Sequence, residues 1–312
     1  MHLNVLLSSS NNKIPLLHAL MSAVKRIDPN GIVTAGDADA NVISKYVAHR
    51  FWHMPTTTDE NIEAIIHAIK EQKITHILPS RDGELVFWAR LKPQLASLGI
   101  IVIVSEPDVV SSCLDKLVFG SLPYPNIIKT SDTIDAIASE HYVVKERVGS
   151  GSTNIGLNLN YDEALQHACT LKTPVFQPYH EGLEISVDAW LSKQHKVKAM
   201  CCRVRELVVN GESQITQSLP NCPYETQFIK LLENLRLEGP VVLQAIITHD
   251  NQPLVIECNS RFGGASTLGL QAGVDSLFWS LQESIGTDVD SLEVSMATHS
   301  IRQIRIPKDL YI

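Results

Sequence analysis

The chain has 312 residues, a hydrophobic content of 44% and a formal net charge of −8 at pH 7, and this length predicts two or three compact units. The negative charge argues against nucleic acid as the main partner, because binding a phosphate backbone requires a broad basic surface. No apolar run approaches the length of a membrane span, and the first residues lack the basic segment and apolar core of a signal peptide. The expectation is a cytoplasmic protein without a membrane partner.

Strand and helix patterns alternate over the first third of the chain, which predicts an open parallel sheet of the Rossmann type. The strand patterns occupy residues 3–7, 31–35, 74–79 and 100–104. After the first of them, residues 8–12 lack the glycines with which a dinucleotide fingerprint approaches a pyrophosphate. NAD and FAD are therefore not expected.

A glycine- and serine-rich segment follows a predicted strand that ends at Lys145, and it consists of Gly149, Ser150, Gly151 and Ser152. A strand pattern resumes at residues 155–159, which makes the segment a hairpin loop. A Walker phosphate loop is excluded, because that loop opens a helix and carries Gly-Lys-Ser or Gly-Lys-Thr. Two interpretations stay open: a plain flexible turn, or a loop that folds its N–H groups over a triphosphate beside the Lys145 cation.

The last part of the chain is predicted to be largely antiparallel, and one of its hairpins has a polar face. A two-residue turn at residues 250–251 would place Gln244 directly opposite Glu257. Side chains alternate along a strand, so Glu257, Asn259 and Arg261 share the face of Gln244. One carboxylate and two amide oxygens form a hard ligand set suited to Mg²⁺, with Arg261 placed to neutralise phosphate charge. The alternative is a polar face that is merely solvated, although an unpaired carboxylate on a buried face would be costly.

Several short motifs, taken in chain order, resemble those of the ATP-grasp superfamily, in particular stand-alone proteins related to the carbamoyl-phosphate synthase large chain. These motifs are Asp115-Lys116, Val144-Lys145 with the glycine-serine loop, Gln177-Pro178-Tyr179 with Gly182 and Glu184, Arg203 with Arg205, and Gln244 with Glu257, Asn259 and Arg261. The resemblance implies a mixed α/β and α+β fold, in which a Rossmann-like pre-ATP-grasp domain (1–108) precedes a two-lobed ATP-grasp fold. The small lobe with the flap would span 109–174, and the large lobe 175–312.

The resemblance also implies a role for each motif residue. Lys116 and Lys145 would grip the nucleotide phosphates under a flap of Gly149, Ser150, Gly151 and Ser152. Gln177, Pro178 and Tyr179 would border adenine, the Tyr179 backbone facing the ring edge, and Glu184 would take the ribose hydroxyls. Gln244, Glu257 and Asn259 would hold Mg²⁺, or Mn²⁺ as a substitute, and Arg261, Arg203 and Arg205 would act on the transferring phosphate of ATP.

The function implied by the resemblance is ATP-dependent ligation, in which a carboxylate is activated as an acyl phosphate and passed to an amine or a thiol. The chain is about half of a full carbamoyl-phosphate synthase and has no second grasp or glutamine-hydrolysing domain, so carbamoyl phosphate synthesis is not expected. Glu146 stands where many relatives carry proline, which could alter the flap. The alternative is an ATP-binding regulatory or assembly module without ligation.

The expected partners are a small-molecule carboxylate and an amine, and a homodimer is allowed. Several polar residues are expected to border the acceptor pocket, since arginines suit carboxylate or phosphate groups. They are Arg203, Arg205, Arg302, Arg305 and the loop 262–266, joined from the first domain by Asn11, Arg81, Asp82 and Glu84.

Overall fold

A computed structural model describes residues 2–11, 13–149, 151, 154–209 and 211–311 of the chain. These residues form three sheets, and each sheet is built from consecutive strands of the chain. None of the helices in this part of the chain combines the length and apolarity needed to cross a membrane. The predicted flap residues Ser150 and Ser152 lie outside the described residues.

The N-terminal sheet has five parallel strands with helices between them, as predicted for a Rossmann-like unit. Its elements are β1 (Asn4–Ser8), α1 (Ile14–Ile27), β2 (Ile32–Asp37), β3 (Arg50–His53), α2 (Ile62–Glu71), β4 (His76–Pro79), α3 (Asp82–Ala96) and β5 (Ile101–Val102). The strand order is β3-β2-β1-β4-β5, so the order reverses between β1 and β4, where open sheets of this kind form a crevice at their carboxyl ends. The helices α1 and α3 begin at that edge.

A small antiparallel sheet follows, in the order β7-β6-β8. Its region contains α4 (Pro107–Leu114), α5 (Lys116–Phe119), β6 (Tyr142–Glu146), β7 (Gly156–Leu159), α6 (Tyr161–Ala168) and β8 (Pro174–Pro178). Because β8 pairs with β6 in this sheet, the chain passes to the next sheet only between Pro178 and Gly182.

The largest sheet has six antiparallel strands in the order β13-β12-β9-β10-β11-β14. It comprises β9 (Gly182–Leu191), β10 (Val197–Val209), β11 (Glu212–Ser218), β12 (Gly239–Thr248), β13 (Pro253–Asn259) and β14 (Arg302–Ile304), with the helices α7 (Glu225–Asn234), α8 (Thr267–Gln271) and α9 (Ser276–Ser284). Together with the small sheet it forms the two lobes expected of an ATP-grasp fold.

One face of the six-stranded sheet is apolar and the other is polar where the strands meet the small lobe. Val187, Leu243, Ala245 and Cys258 pack into a core that includes Phe228 of α7. Successive residues of a strand point to opposite faces, so the residues between these apolar ones, which include most of the predicted site, lie together on the other face.

The β12–β13 hairpin places Gln244 opposite Glu257, as predicted, but the predicted two-residue turn is wrong. Thr248 N–H donates to Gln252 O, so three residues form the turn, and Asn251 has a φ of 59°. The extra residue in the turn is compensated by a bulge at Ile256, since Ala245 pairs with Val255 whereas Gln244 pairs with Glu257. A β-bulge shifts the register by one residue, and here it returns Glu257 to the polar face.

Candidate functional site

A continuous row of side chains crosses the polar face of the six-stranded sheet. Glu257 pairs with Gln244, Gln244 with Ser186 and Ser186 with Arg203, on four adjacent strands. Neighbouring strands lie about 4.8 Å apart, so the backbones of Glu257 and Arg203 are separated by about 14 Å. The row therefore has an acidic end at Glu257 and a basic end at Arg203 on one surface. A nucleotide phosphate chain together with a second reactant could span the distance between these two ends.

The acidic end contains the three predicted metal ligands. Glu257 Oε1 accepts a hydrogen bond of 3.2 Å from Asn259 Nδ2, and Gln244 is half-buried beside them. Across the described ranges no three His, Cys, Asp or Glu side chains cluster in a way that could hold a metal. A single carboxylate with amide oxygens matches a Mg²⁺ ion that keeps water and substrate phosphates as its remaining ligands, so these residues fit that ion.

The two predicted phosphate-binding lysines lie near each other beside this acidic end. Lys145 is buried in β6, and its burial lowers the pKa of the ammonium group to about 8, against the opposing attraction of Glu257. Lys116 also depresses the Lys145 pKa by repulsion. Burial therefore destabilises the charged form of Lys145 more than the nearby carboxylates stabilise it, and a bound anion would favour the charged form.

Lys116 and the described residues of the glycine-serine loop link the small sheet to the large sheet. Lys116 Nζ donates to Gly149 O at 2.8 Å, and the backbone of Gly151 lies against Gly211 in the β10–β11 turn, where an added Cβ would be only 2.5 Å from Gly151 O. The part of the flap that the structure describes therefore reaches from the small sheet to the large one. Glu146, where a proline was noted in relatives, accepts hydrogen bonds from Lys172 N and Thr173 N.

The junction between the lobes holds the predicted adenine-binding segment, but its polar groups are already engaged. Gln177 is buried, and its Nε2 donates to Thr130 Oγ1 at 2.8 Å. Tyr179 N–H donates to His141 O at 2.9 Å, which leaves the Tyr179 C=O as the backbone group that could face a ring edge. Pro178 ends β8 at the same junction.

Each of the three predicted catalytic arginines is ion-paired with a carboxylate. Arg203 Nε lies 2.8 Å from Asp188 Oδ2, and both side chains are 4% exposed. Arg205 pairs with Glu184, the predicted ribose residue, and also donates to Gly211 O. Arg261 is turned toward the first domain, where Nε and Nη2 donate to the Asp82 carboxylate at 2.6 and 2.7 Å. The pairs keep these guanidinium groups oriented.

Two buried polar atoms on this face have no hydrogen-bond partner among the described residues: Ser186 Oγ and Arg203 Nη1. Ser186 and Arg203 are neighbours in the row of paired residues. Buried polar groups are normally hydrogen-bonded, so orphaned groups in one region mark where polar atoms of a ligand belong.

The first domain contributes differently from what the sequence predicted. Glu84 is fully buried and bonds Ser8 Oγ, the Ser80 N–H and the Trp88 indole, so it holds the sheet and does not line a pocket. Asp82 reaches the site only through Arg261. Arg81 donates to Ser9 Oγ at 3.2 Å, and Asn11 N–H donates to Asp37.

Asp188 and Lys13 are two residues that the sequence analysis missed. Asp188 follows Glu184 and Ser186 at the alternating positions of β9, a signal that could have placed it on the polar face. Lys13 Nζ donates to Ser9 O, Ser80 O and Ser80 Oγ across the β1–β4 crevice, and burial lowers its pKa to about 8. Nothing in the local sequence distinguishes it from a solvated lysine.

Two family models match the chain. Residues 112–265 match an ATP-grasp domain, and residues 5–103 match a PylC-like N-terminal domain. A search of the curated proteins found no match.

Solved structures resemble the chain over nearly its full length. N5-carboxyaminoimidazole synthetase from Staphylococcus aureus, complexed with ADP, has a TM-score of 0.74 at 13% identity, covering 98% of this chain and 83% of that one. The biotin carboxylase domain of Hydrogenobacter thermophilus 2-oxoglutarate carboxylase, in complex with MgADP, ADP and bicarbonate, has a TM-score of 0.71 at 16% identity, covering 92% and 70%. L-amino acid ligase from Bacillus licheniformis has a TM-score of 0.66 at 15% identity, covering 93% and 76%. At these identities the likeness shows a shared fold.

Proposed function

Because the chain belongs to the ATP-grasp superfamily, we propose that it is an ATP-dependent ligase. It would activate a carboxylate as an acyl phosphate and transfer the acyl group to an amine or a thiol, releasing ADP and phosphate. The observation that carries this proposal is the row from Glu257 through Gln244 and Ser186 to Arg203, with the buried Lys145 near its acidic end.

Different residues of the site would bind the metal ion, the phosphates, the base and the ribose. Gln244, Glu257 and Asn259 would hold Mg²⁺, which when bound neutralises charge on the phosphates of ATP. Lys145 would donate to a phosphate oxygen from inside the small lobe, where the low dielectric strengthens that contact. Gln177, Pro178 and Tyr179 would border the base, and Glu184, which is 42% exposed although paired with Arg205, keeps oxygen surface for the ribose.

The chemistry requires no protein nucleophile. An oxygen of the carboxylate substrate attacks the terminal phosphorus of ATP, and the bond from that phosphorus to the ADP oxygen breaks. The nitrogen of the amine then attacks the acyl carbon, the carbon–oxygen bond to phosphate breaks, and the nitrogen loses a proton. The unpaired Nη1 of Arg203 and the guanidinium of Arg261 would stabilise negative charge during transfer, a role suited to preorganised donors.

The relatives support an ADP-forming reaction. The Staphylococcus aureus synthetase and the Hydrogenobacter thermophilus domain are described with ADP, and the latter with bicarbonate. The arrangement of this chain is consistent with such a reaction, since Lys116 contacts Gly149 of the flap and lies close enough to Lys145 to repel its charge. A regulatory module would bind Mg·ATP in the same place without releasing ADP.

The proposal is tested by measuring ADP release with pools of carboxylates in the presence of hydroxylamine. We expect ADP and a hydroxamate to form in equal amounts, because hydroxylamine intercepts an acyl phosphate. AMP as the main nucleotide product would rule out the acyl-phosphate route. Tight Mg·ATP binding with neither product across all pools would support the binding module instead.

The pKa of Lys145 leads to a pH prediction. Its ammonium group is charged below pH 8 and neutral above it, and a phosphate prefers the charged form. The dissociation constant of ATP should therefore rise as the pH passes through 8, by roughly tenfold between pH 7 and pH 9 if the bound form keeps the proton.

The matched control for this pH dependence is Lys145→Arg, since a guanidinium group stays charged across that range. Titrations of ATP at pH 7, 8 and 9 should give a flat profile for the variant. A flat profile for the wild type as well would show that Lys145 does not lose its proton in this pH range while in contact with the phosphates.

A further inference from the structure

We propose that Cys222 and Cys202 are a modification site, at which a small-molecule disulfide oxidises the two thiols to a reversible Cys202–Cys222 disulfide. Both thiols are free and lie in the core on the apolar face of the large sheet. Arg203 follows Cys202 on the opposite, polar face, because side chains alternate along a strand. The proposal is therefore independent of the ligase activity and of the site that would carry it.

The two cysteines come from different parts of the chain and meet beside β10. Cys202 lies within β10 and is 1% exposed, whereas Cys222 lies in the connection from β11 to α7, residues 219–224. This connection begins against β10, since Leu219 N–H donates to Cys202 O at 2.8 Å. Three residues later the Cys222 thiol is hydrogen-bonded to the Cys202 thiol.

The hydrogen bond between the thiols gives them different reactivity. Because Cys202 donates to Cys222, the pKa of the Cys222 thiol is lowered and that of the Cys202 thiol is raised. A hydrogen bond from Tyr224 N–H, at the start of α7, also lowers the Cys222 pKa, while burial and the Glu225 carboxylate oppose both effects. The thiolate is the nucleophile in disulfide exchange, so Cys222 is the attacking thiol and Cys202 the resolving one.

An oxidant can reach Cys222 without the sheet unfolding. The Cys222 side chain is only 6% exposed, but its neighbours in the chain, Asn221 and Pro223, are both exposed. Cys222 belongs to no helix or strand. Surface connections of this kind open locally at a smaller cost than the strands they join, and such an opening would uncover the sulfur.

The exchange takes two steps with a small-molecule disulfide, such as glutathione disulfide, as the oxidant. The Cys222 thiolate attacks one sulfur of the oxidant, the S–S bond of the oxidant breaks, and one thiolate leaves. Cys202 then loses its proton to solvent and its sulfur attacks Cys222 Sγ, which displaces the second thiolate. The two cysteines together lose two electrons and two protons, and the oxidant is reduced to two thiols.

Forming the disulfide moves the connection and leaves the strand in place. The sulfurs must approach to about 2.05 Å, which is closer than a hydrogen bond between thiols. Cys202 is fixed by its position in β10, where it pairs with Val187 of β9, and Cys222 has no such pairing. Arg203 therefore keeps its ion pair with Asp188 in the oxidised protein.

A second pair of hydrogen-bonded thiols, Cys113 and Cys258, provides a matched control. Both are buried, but Cys113 lies in α4 and Cys258 in β13. A helix and a strand must separate before an oxidant reaches either sulfur, so this pair should stay reduced. Cys169 is exposed and reports that the oxidant is active.

The test incubates the folded, reduced protein with glutathione disulfide, blocks the remaining thiols with N-ethylmaleimide and maps the peptides by mass spectrometry. We expect a Cys202–Cys222 link that increases with the ratio of glutathione disulfide to glutathione and that dithiothreitol removes. Cys169 should carry a glutathione adduct, and Cys113 and Cys258 should remain unlinked. An adduct on Cys169 without the Cys202–Cys222 link at any ratio would overturn the proposal. An equally abundant Cys113–Cys258 link would also overturn it, because contact alone would then decide which thiols react.

Two variants test the order of the steps. Cys202→Ala should stop the exchange after the first step and accumulate glutathione on Cys222, whereas Cys222→Ala should leave Cys202 without a link or an adduct. Cys169→Ser should form the link to the same extent as the wild type. A glutathione adduct on Cys202 in Cys222→Ala, or none on Cys222 in Cys202→Ala, would contradict the assigned roles. Circular dichroism before oxidation checks the fold of each variant, and the wild-type map decides the proposal without either of them.

Discussion

Replacing Glu257 by glutamine is expected to lower the rate of Mg·ATP-dependent ADP release by about 10²–10³-fold, the range seen when one group that stabilises transition-state charge is removed. Glu257 is the single carboxylate among the proposed ligands, and glutamine keeps its size while removing its charge. The fold should tolerate the change, because Glu257 is only half-buried and its hydrogen bond is to Asn259.

The same variant should alter Lys145. Glu257 raises the Lys145 pKa against the effect of burial, so without it the pKa falls below 8 and the pH at which ATP binding weakens moves down. Steady-state rates and the ATP titration of the variant measure both effects. Glu181→Gln is the control, since that carboxylate is 78% exposed in the connection that precedes β9. An unchanged rate in Glu257→Gln would eliminate the proposed metal site.

Replacing Asp188 by alanine is expected to reduce the free energy of unfolding by about 3–5 kcal/mol, because it leaves the Arg203 guanidinium buried without a counter-charge. Asp188 and Arg203 are each 4% exposed, so solvent cannot replace the lost partner. Asp188 also accepts a hydrogen bond of 2.5 Å from Ser266, and its loss frees the glycine-rich loop as well. Urea unfolding followed by circular dichroism gives the measurement.

A double variant distinguishes a buried charge from a general packing defect. Asp188→Leu combined with Arg203→Met replaces the pair with apolar groups, which is often neutral or stabilising relative to a buried ion pair. We expect it to recover much of the stability lost in Asp188→Ala while remaining inactive, since Arg203 is part of the proposed site. If the double variant is less stable than Asp188→Ala, burial of the unpaired charge is not the cause of the loss.

The polar face of the β12–β13 hairpin was predictable because strand alternation is a local property. Gln244, Glu257 and Asn259 interrupt apolar runs at every second position, and the pairing of Gln244 with Glu257 is confirmed. The turn was not predictable in the same way. A three-residue turn and a bulge at Ile256 compensate each other, and the hydrophobic pattern of the arms does not reveal either one.

The strands of the first domain show the same division. Their apolar runs predicted β1, β2, β4 and β5, whereas β3 (Arg50–His53) has no such run, since two of its four residues are exposed and the other two are half-buried. The strand β14 of the large sheet was missed for the same reason, because two of its three residues are exposed. A strand that buries little surface needs less hydrophobic regularity in its sequence.

By itself the sequence determined the class of the fold, the family resemblance and the residues of the polar face of the β12–β13 hairpin, since each rests on periodicity or on short motifs in chain order. Only the tertiary structure decided how the arginines are used. Arg261 pairs with Asp82 across 179 positions of the chain, and Arg203 with Asp188 across 15. Such pairs form only where the fold brings two elements into contact, and their strength depends on how deeply each charge is buried. The spacing of residues along one strand determines neither the contact nor the burial.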